Sequence, residues 1–493
     1  MSSEHATHCT FREHPYTHLF TTSDPAGSVA YRTDLMQQVV CSPRGGELVK
    51  AVLSGEASSD VLPAAIRNLL CGTRSGSPIF ASHQPGTAGD DVNTLYLLPT
   101  LECQLRCGYC RIARSQGRQA GLRLSPESAC DAIDHFFGHE PDDVRRTVVF
   151  FGGEPLLVRE TVFAAIRRIR GRPGQGDTDI VLQTNGIALD VHTAEFLAAH
   201  DVFVLLSIDG PAEVHDRHRT FPTGVGSYQQ SVAGYNNAKR HGCRVGISAT
   251  VTKETADRFV SSFPALLDDL LPDECGVGTH LHPLSAERSP HQCSPTVAAR
   301  VLTEAFLAAR QRGLYFQQMC QRMRPFVNGT WRRYACAACG GKVVVAPDGN
   351  AGICEYNAPE GRSYVPLKQF SASTVPDLPR WATRSPLDSR GCLQCPALPT
   401  CGGGCAYDSQ VLLGDALKFD PWLCETNIEI VRWVMRDLLS HLHDSLRGQD
   451  FHVVTADERA LLLGSIALDG RHVPMPRVAR YGEATEAGEC PAG

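Results

Sequence analysis

The 493-residue chain has no uninterrupted apolar run long enough to cross a bilayer, which excludes a transmembrane helix as its organising element. Its opening stretch, MSSEHATHCTFREHPYTHLF, lacks a basic segment followed by an apolar one and has no cleavage site, so a cytoplasmic location is expected. Positive charge is not in surplus: 47 Lys and Arg against 53 Asp and Glu leave a formal charge of -6, with no broad electropositive footprint for nucleic acid. Nor does the composition resemble that of a fibre or of a fully disordered chain. A small or peptidic substrate is the simpler expectation. Cysteine, by contrast, is abundant: 20 residues lie in tight groups separated by long gaps, which is the distribution of metal ligands rather than of a disulfide framework. Thiols kept available in this way need a reducing compartment.

The length suggests two or three domains. Residues 1–75 read as a small α+β unit, in which SVAYRTDLMQQVV contains a strand and SSDVLPAAIRNLL forms a short amphipathic helix. Residues 76–93, rich in Gly, Ser and Pro, read as a linker. Over 94–300 the pattern becomes strand then helix, repeated, with strands expected at Leu95–Pro99, Val148–Phe151, Ile180–Thr184, Val202–Ile208, Val245–Val251 and Val277–Pro283. The helix SPESACDAIDHFF has Ser125 as its cap, and a second helix is TAEFLAAH. This alternation predicts a parallel sheet wrapped by helices, either open or closed toward a barrel, and periodicity does not choose between them. A helix around VLTEAFLAARQRGLYFQQMCQRM connects, over 301–335, to a cysteine-rich segment at 336–426. An apolar-striped helix, NIEIVRWVMRDLLSHL, then opens a partly disordered C-terminal region, 427–493.

Cys103, Cys107 and Cys110 follow the first strand directly, on a loop at the carboxyl end of the sheet, where α/β proteins place their chemistry. Three thiolates leave a four-iron cluster one ligand short. The same spacing also suits a structural zinc site or inert thiols. The surroundings favour iron, because the sequence resembles the radical S-adenosylmethionine enzymes. Their cysteine triplet, with an aromatic residue before the third, is matched with Tyr109; their GGEP motif by Gly152, Gly153, Glu154 and Pro155; and their TNG element by Thr184, Asn185 and Gly186. Ser207, Ile208, Asp209, Gly210 and Pro211, continuing to His215, Asp216 and Arg219, match a further element. The resemblance covers about Thr94 to Pro283 and implies a partial (β/α)6 barrel. It also implies that S-adenosylmethionine binds the open iron, with Tyr109 packed on the adenine or the cluster. The Gly152–Pro155 turn would receive the amino group, Asn185, Ser207 and Asp209 would contact the cofactor, and Asp216 with Arg219 would form a structural ion pair.

Downstream, Cys392, Cys395, Cys401 and Cys405 are followed by Cys424 and preceded by Cys336, Cys339 and Gly349-x4-Cys354. Eight thiolates suffice for two fully ligated four-iron clusters, although paired cysteines also suit zinc. The field resembles the SPASM domain of radical enzymes that modify peptides and proteins. That resemblance implies one cluster on Cys336, Cys339, Cys354 and Cys405, nearer the active site, and an outer one on Cys392, Cys395, Cys401 and Cys424, three [4Fe-4S] clusters in all.

The implied chemistry is reductive cleavage of S-adenosylmethionine, hydrogen abstraction from a precursor peptide or protein, and installation of a carbon–carbon or thioether crosslink or a related oxidative change. A donor such as flavodoxin or ferredoxin would supply electrons. The alternative within the same layout is formylglycine formation on a sulfatase, in which an aspartate follows the cysteine matching Cys354; here Glu355 stands there, a longer carboxylate still suited to act as a base. A third reading is a non-enzymatic iron–sulfur protein that relays electrons or binds a peptide. The N-terminal unit suits recognition of a leader peptide by a strand edge. His280 and His282 alternate on the sixth strand, and Cys41, Cys71, Cys130, Cys243, Cys275, Cys293, Cys320 and Cys490 stand apart from any group.

Overall fold

The computed structural model describes residues 7–10, 16–72, 92–114, 117–138, 145–172, 178–271, 279–283, 289–371 and 373–466. The expected linker lies almost wholly outside these residues, as do Cys275, Cys490 and the last part of the C-terminal region.

The N-terminal segment forms β1 (Thr7–Thr10), β2 (Thr17–Ser23), β3 (Ala26–Arg32) and β4 (Gln37–Cys41), each antiparallel to the next. The stretch SVAYRTDLMQQVV thus holds most of a hairpin rather than a single strand. Side chains alternate across the sheet as strand geometry requires. Leu19, Ala30, Val39 and Cys41 pack under the helices Pro43–Leu53 and Ala64–Cys71. Phe20, Val29, Tyr31 and Val40 face the opposite way and join the main core of the molecule.

Six parallel strands follow: β5 (Thr94–Leu97), β6 (Thr147–Phe150), β7 (Asp179–Thr184), β8 (Val202–Ser207), β9 (Arg244–Val251) and β10 (Thr279–Pro283). Each pairs with its neighbour in sequence. Among these six strands the order never reverses, which resolves the choice left open by periodicity: they advance in one sense, as in a barrel, with no switch point between β5 and β10. The strands are almost continuously apolar because helices cover the sheet, and Phe203, Val204 and Leu206 are fully buried. Ser125 does cap the helix Pro126–Gly138, accepting the Ser128 amide at 3.1 Å.

The connecting segment departs from expectation. One helix was expected across residues 301–323, but the chain makes two, Pro295–Gln311 and Gln317–Asn328, broken where Gly313 takes φ 65°. Beyond them, β11 (Lys342–Val345) lies parallel to β5, and β12 (Asn350–Gly352) and β13 (Val365–Pro366) extend the sheet antiparallel, giving nine strands in all. The cysteine-rich segment therefore continues the barrel's own sheet. After the helix Pro421–Leu442, β14 (Phe451–Val453) returns to pair with β4, so the chain's C-terminal region completes the N-terminal sheet. Among the described residues no helix is long and apolar enough to cross a membrane.

Candidate functional site

The Cys103–Cys110 loop leaves the carboxyl end of β5 and is held from two sides. The amides of Gly153 and Glu154, after β6, donate to the carbonyls of Thr100 (3.0 Å) and Glu102 (2.8 Å). The approach is so close that a Cβ on Gly153 would lie 2.1 Å from the Glu102 carbonyl oxygen, which is why glycine stands there. From the other side the amides of Arg106 and Gly108 donate to the carbonyls of Thr220 (2.7 Å) and His218 (3.1 Å), beyond β8. Cys103 Sγ accepts from the Leu105 amide at 3.4 Å and from Asn185 Nδ2 at 3.7 Å. Burial pushes the Cys103 thiol up to about 11 and that of Cys107 to about 12.

The polar residues expected around this loop are brought together, with a division of labour the sequence did not show. Glu154 is buried, and its carboxylate accepts from the Leu156 amide (3.1 Å), the Thr184 hydroxyl (2.8 Å) and the Asn185 amide (2.8 Å). It therefore staples the end of β7 to the turn begun by Gly152 and Pro155. Asp209 accepts the Thr250 amide at 2.8 Å and the Tyr109 hydroxyl, and its Oδ2 lies 2.9 Å from Arg219 Nε. The expected ion pair of Asp216 with Arg219 is thus corrected: Arg219 reaches Asp209, while Asp216 accepts the Tyr228 amide at 2.8 Å and fixes a helix start. The Arg219 guanidinium also stands 5.6 Å from the centre of the Tyr109 ring. Ser207, at the end of β8, is buried beside this group in sequence, and His215 behind it bonds to Ser227 Oγ at 3.1 Å.

The eight downstream cysteines fall into two neighbourhoods, told apart by which thiols feel the negative charge of Cys336 and which that of Cys401. Cys336 acts on Cys339, Cys354 and Cys405, and Cys354 also acts on Cys405. Cys401 acts on Cys392, Cys395 and Cys424, and Cys392 also acts on Cys395 and Cys424. These are two sets of four, interleaved in sequence. Between them lies Arg384, which is coupled to Cys339 and Cys405 of one set and to Cys401 and Cys392 of the other. Its guanidinium donates to the carbonyls of Gly403, Ala416 and Lys418 and to Ser409 Oγ, and stacks over Phe419. No sequence signal marked this residue.

The donor set fits iron–sulfur clusters. All eleven cysteines are free thiols. Backbone amides point at Sγ of Cys336 (3.5 Å), Cys401 (3.3 Å) and Cys405 (3.4 Å), as at Cys103, and such bonds stabilise ligated thiolates. Glu355, read as a base, is instead paired with buried Lys342 at 2.5 Å. Lys342 sits in register with Thr94, the first residue of β5, whereas the cysteine loop follows the last. His280 and His282 stand opposite Ser248 and Thr250 of β9. Of the isolated cysteines, Cys41, Cys243, Cys293 and Cys320 are buried, and burial pushes Cys41 and Cys320 up to about 12.

Residues 97–263 match the model of the Radical SAM superfamily. Among curated proteins, the chain is 19% identical over 361 residues to the radical SAM cyclopropyl synthase TigE of Paramaledivibacter caminithermalis, covering 70% of this chain and 74% of that one. It is 23% identical over 327 residues to the serine-type anaerobic sulfatase-maturating enzyme of Klebsiella aerogenes, covering 62% and 76%. Other relatives are spanned over less than two thirds of their length, as with 46% of the AdoMet-dependent heme synthase of Oleidesulfovibrio alaskensis, at 30% identity over 38% of this chain. The fold is similar to that of anSMEcpe with bound AdoMet, with a TM-score of 0.58 at 19% identity, covering 71% of this chain and 99% of that one. It is also similar to Streptococcus suis SuiB bound to precursor peptide SuiA, with a TM-score of 0.53 at 12% identity, covering 84% and 99%.

Proposed function

We infer that this chain, which carries a radical SAM domain over residues 97–263, is an enzyme that takes a hydrogen atom from a ribosomally made precursor peptide and installs a carbon–carbon or thioether crosslink or a related oxidative change. The observation that carries this reading is a contrast in ligand number: three cysteines on the loop after β5, against two interleaved sets of four downstream. A four-iron cluster with S-adenosylmethionine supplies, when bound, a radical able to attack an unactivated carbon.

The chain's own residues place that chemistry. Cys103, Cys107 and Cys110 would hold the first cluster, Cys336, Cys339, Cys354 and Cys405 the inner auxiliary one, and Cys392, Cys395, Cys401 and Cys424 the outer. The turn at Gly152, Gly153 and Pro155 leaves backbone groups at the loop, while Glu154 fixes their position. Tyr109, Asn185, Ser207 and Asp209 would contact the nucleoside and its amino acid end. Two complete sets of four thiols suit the removal of surplus electrons, and a flavodoxin or ferredoxin suits their first delivery. The N-terminal sheet suits capture of an extended leader segment by strand addition, and the relative TigE and the peptide-bound SuiB structure support a peptidic substrate. The second reading, formylglycine formation, is favoured by the likeness to a sulfatase-maturating enzyme and disfavoured by the Lys342 ion pair, which occupies the carboxylate of Glu355.

Anaerobic reconstitution tests the core of this. Reduced protein should cleave S-adenosylmethionine to 5′-deoxyadenosine; no cleavage would leave only an electron-relay or binding role. Coexpression with a precursor peptide from a neighbouring gene should give a product lighter by two hydrogens, with no fragment ions between the joined residues. A product that instead reacts with hydrazide would carry an aldehyde and select the sulfatase-type reaction, with the loss of two hydrogens alone if it arises from serine and with sulfur also exchanged for oxygen if it arises from cysteine.

A further inference from the structure

We propose that His218, Glu254 and His291 form a binding site for a divalent transition-metal ion, distinct from the cysteine sites and seated against the Cys103–Cys110 loop. The three ligand atoms all lie within 4.8 Å of one another. Glu254 uses both oxygens: Oε1 is 3.1 Å from His291 Nδ1, and Oε2 is 4.0 Å from His218 Nε2. The two imidazole rings stand edge to face at 4.8 Å between centres. Two imidazoles and one carboxylate make up a donor set for zinc or ferrous iron, with bond lengths of about 2.0–2.2 Å for zinc and further positions left for water or a substrate group.

The three residues come from three successive loops at the carboxyl end of the sheet, after β8, β9 and β10, where the barrel collects its chemistry. Both histidines are held by groups outside the trio. The carbonyl of His218 accepts the Gly108 amide, and the carbonyl of His291 accepts the Lys253 amide at 3.1 Å. His218 Nε2 also lies 3.1 Å from Thr252 Oγ1, a hydrogen bond that an ion bound to this nitrogen would displace. Gly108 stands between Cys107 and Cys110, and a Cβ there would come within 3.2 Å of His218 Nδ1. An ion at this place would therefore cross-link three loops and brace the cysteine loop through His218. Its open positions suit a carboxylate, imidazole or thiolate of the substrate.

The test uses the full chain with its iron fully reconstituted, so that cysteine sites do not compete, and cobalt(II) as the probe. We expect one cobalt per chain, with ligand-field bands in the visible and no thiolate charge-transfer band. His291→Ala and Glu254→Gln, both at partly exposed positions, should weaken cobalt binding about tenfold or more while leaving iron content and thermal stability near those of the parent. Equal cobalt affinity in the parent and both variants would overturn the proposal, as would thiolate charge-transfer bands or no binding at all. Elemental analysis of protein grown with zinc should show one non-iron ion per chain that the double variant lacks.

Discussion

Arg111, the residue after Cys110, donates through Nη1 to Asp408 Oδ1 at 3.0 Å, three residues beyond Cys405. The same guanidinium lies 5.0 Å from the centre of the Tyr356 ring, two residues beyond Cys354. One side chain thus ties the first cysteine loop to the segments that carry Cys354 and Cys405. Both ends of the ion pair are largely buried. Replacing Asp408 with Asn removes the charge that answers Arg111 and should cost about 3 kcal/mol, the scale for a buried pair losing one partner. Anaerobic thermal unfolding measures that loss. Turnover should show a second effect: more 5′-deoxyadenosine released per peptide modified, because the two cluster regions no longer keep register. A variant with parental stability and coupling would show the contact to be incidental.

Gly153 is a sharper probe of the first site alone. A methyl group there meets the Glu102 carbonyl at 2.1 Å, a contact with backbone that no rotamer relieves. Gly153→Ala should therefore displace the cysteine loop, lowering iron per chain by about one cluster's worth and abolishing the spectral change on adding S-adenosylmethionine. The downstream sets lie on other elements and should keep their iron. Full iron with an intact cofactor response would refute the steric argument.

How much of this was legible in the sequence follows from the range of each interaction. The cysteine triplet, the GGEP turn and the six strands are local patterns of spacing and period, and each appears where it was read. The pairing of Arg219 with Asp209 rather than with Asp216 was not legible, because it depends on how the segment after β8 folds back over Tyr109. Nor was β14, a three-residue strand with only one apolar-facing alternation to announce it, which forms because β4 offers a free edge. The break at Gly313 was readable in principle, since a glycine amid helical residues is a stop signal. The apolar Leu314, Tyr315 and Phe316 directly after it masked that signal. Arg384 lies outside every motif and gains its place only when the two interleaved sets of cysteines close around it.

Glu355 distinguishes a base from a structural carboxylate. Lys342 is buried, faces Tyr96 with its ammonium 4.6 Å from the ring centre, and is held well above its ordinary value despite burial because Glu355 stands beside it. Glu355→Gln leaves that ammonium without its counter-charge, at a cost of about 3–5 kcal/mol. The expected result is a destabilised enzyme whose remaining activity keeps the parental pH profile. Loss of activity at unchanged stability, with a limb of the pH profile removed, would restore Glu355 as a base.

His215 sets a pH dependence. Burial pulls its imidazole down to about 4 in the folded protein, against about 6.5 when unfolded. On lowering the pH the unfolded chain takes up this proton first, so His215's contribution is complete above about 6.5, is lost progressively as the pH falls toward 4, and is constant below that. The difference corresponds to about 3 kcal/mol at most. His215→Asn should give a shallower fall in unfolding temperature across that window than the parent shows. Parallel curves would mean that the ring is not held neutral.

The cysteines themselves supply the last prediction. Burial raises the thiols of Cys103, Cys107, Cys339 and Cys424 to between about 11 and about 12, so without metal each of these is protonated near neutral pH. A cluster binds thiolates, so loading it must expel one proton for every ligand, and the metal–sulfur bonds must offset the cost of a buried negative charge. The Arg384 guanidinium reduces that cost at five of the eight downstream sulfurs at once, those of Cys339 and Cys405 in one set and of Cys392, Cys401 and Cys424 in the other. Anaerobic reconstitution in weak buffer should therefore release protons in proportion to iron bound, and its yield should fall as pH falls. Arg384→Met removes the shared cation and leaves the Gly403, Ala416 and Lys418 carbonyls without their donor. Its downstream iron should be lost preferentially, and the surviving auxiliary clusters should be harder to reduce, as read by potentiometric titration. Unchanged auxiliary potentials in a variant that retains its iron would show that the cation does not act on the clusters.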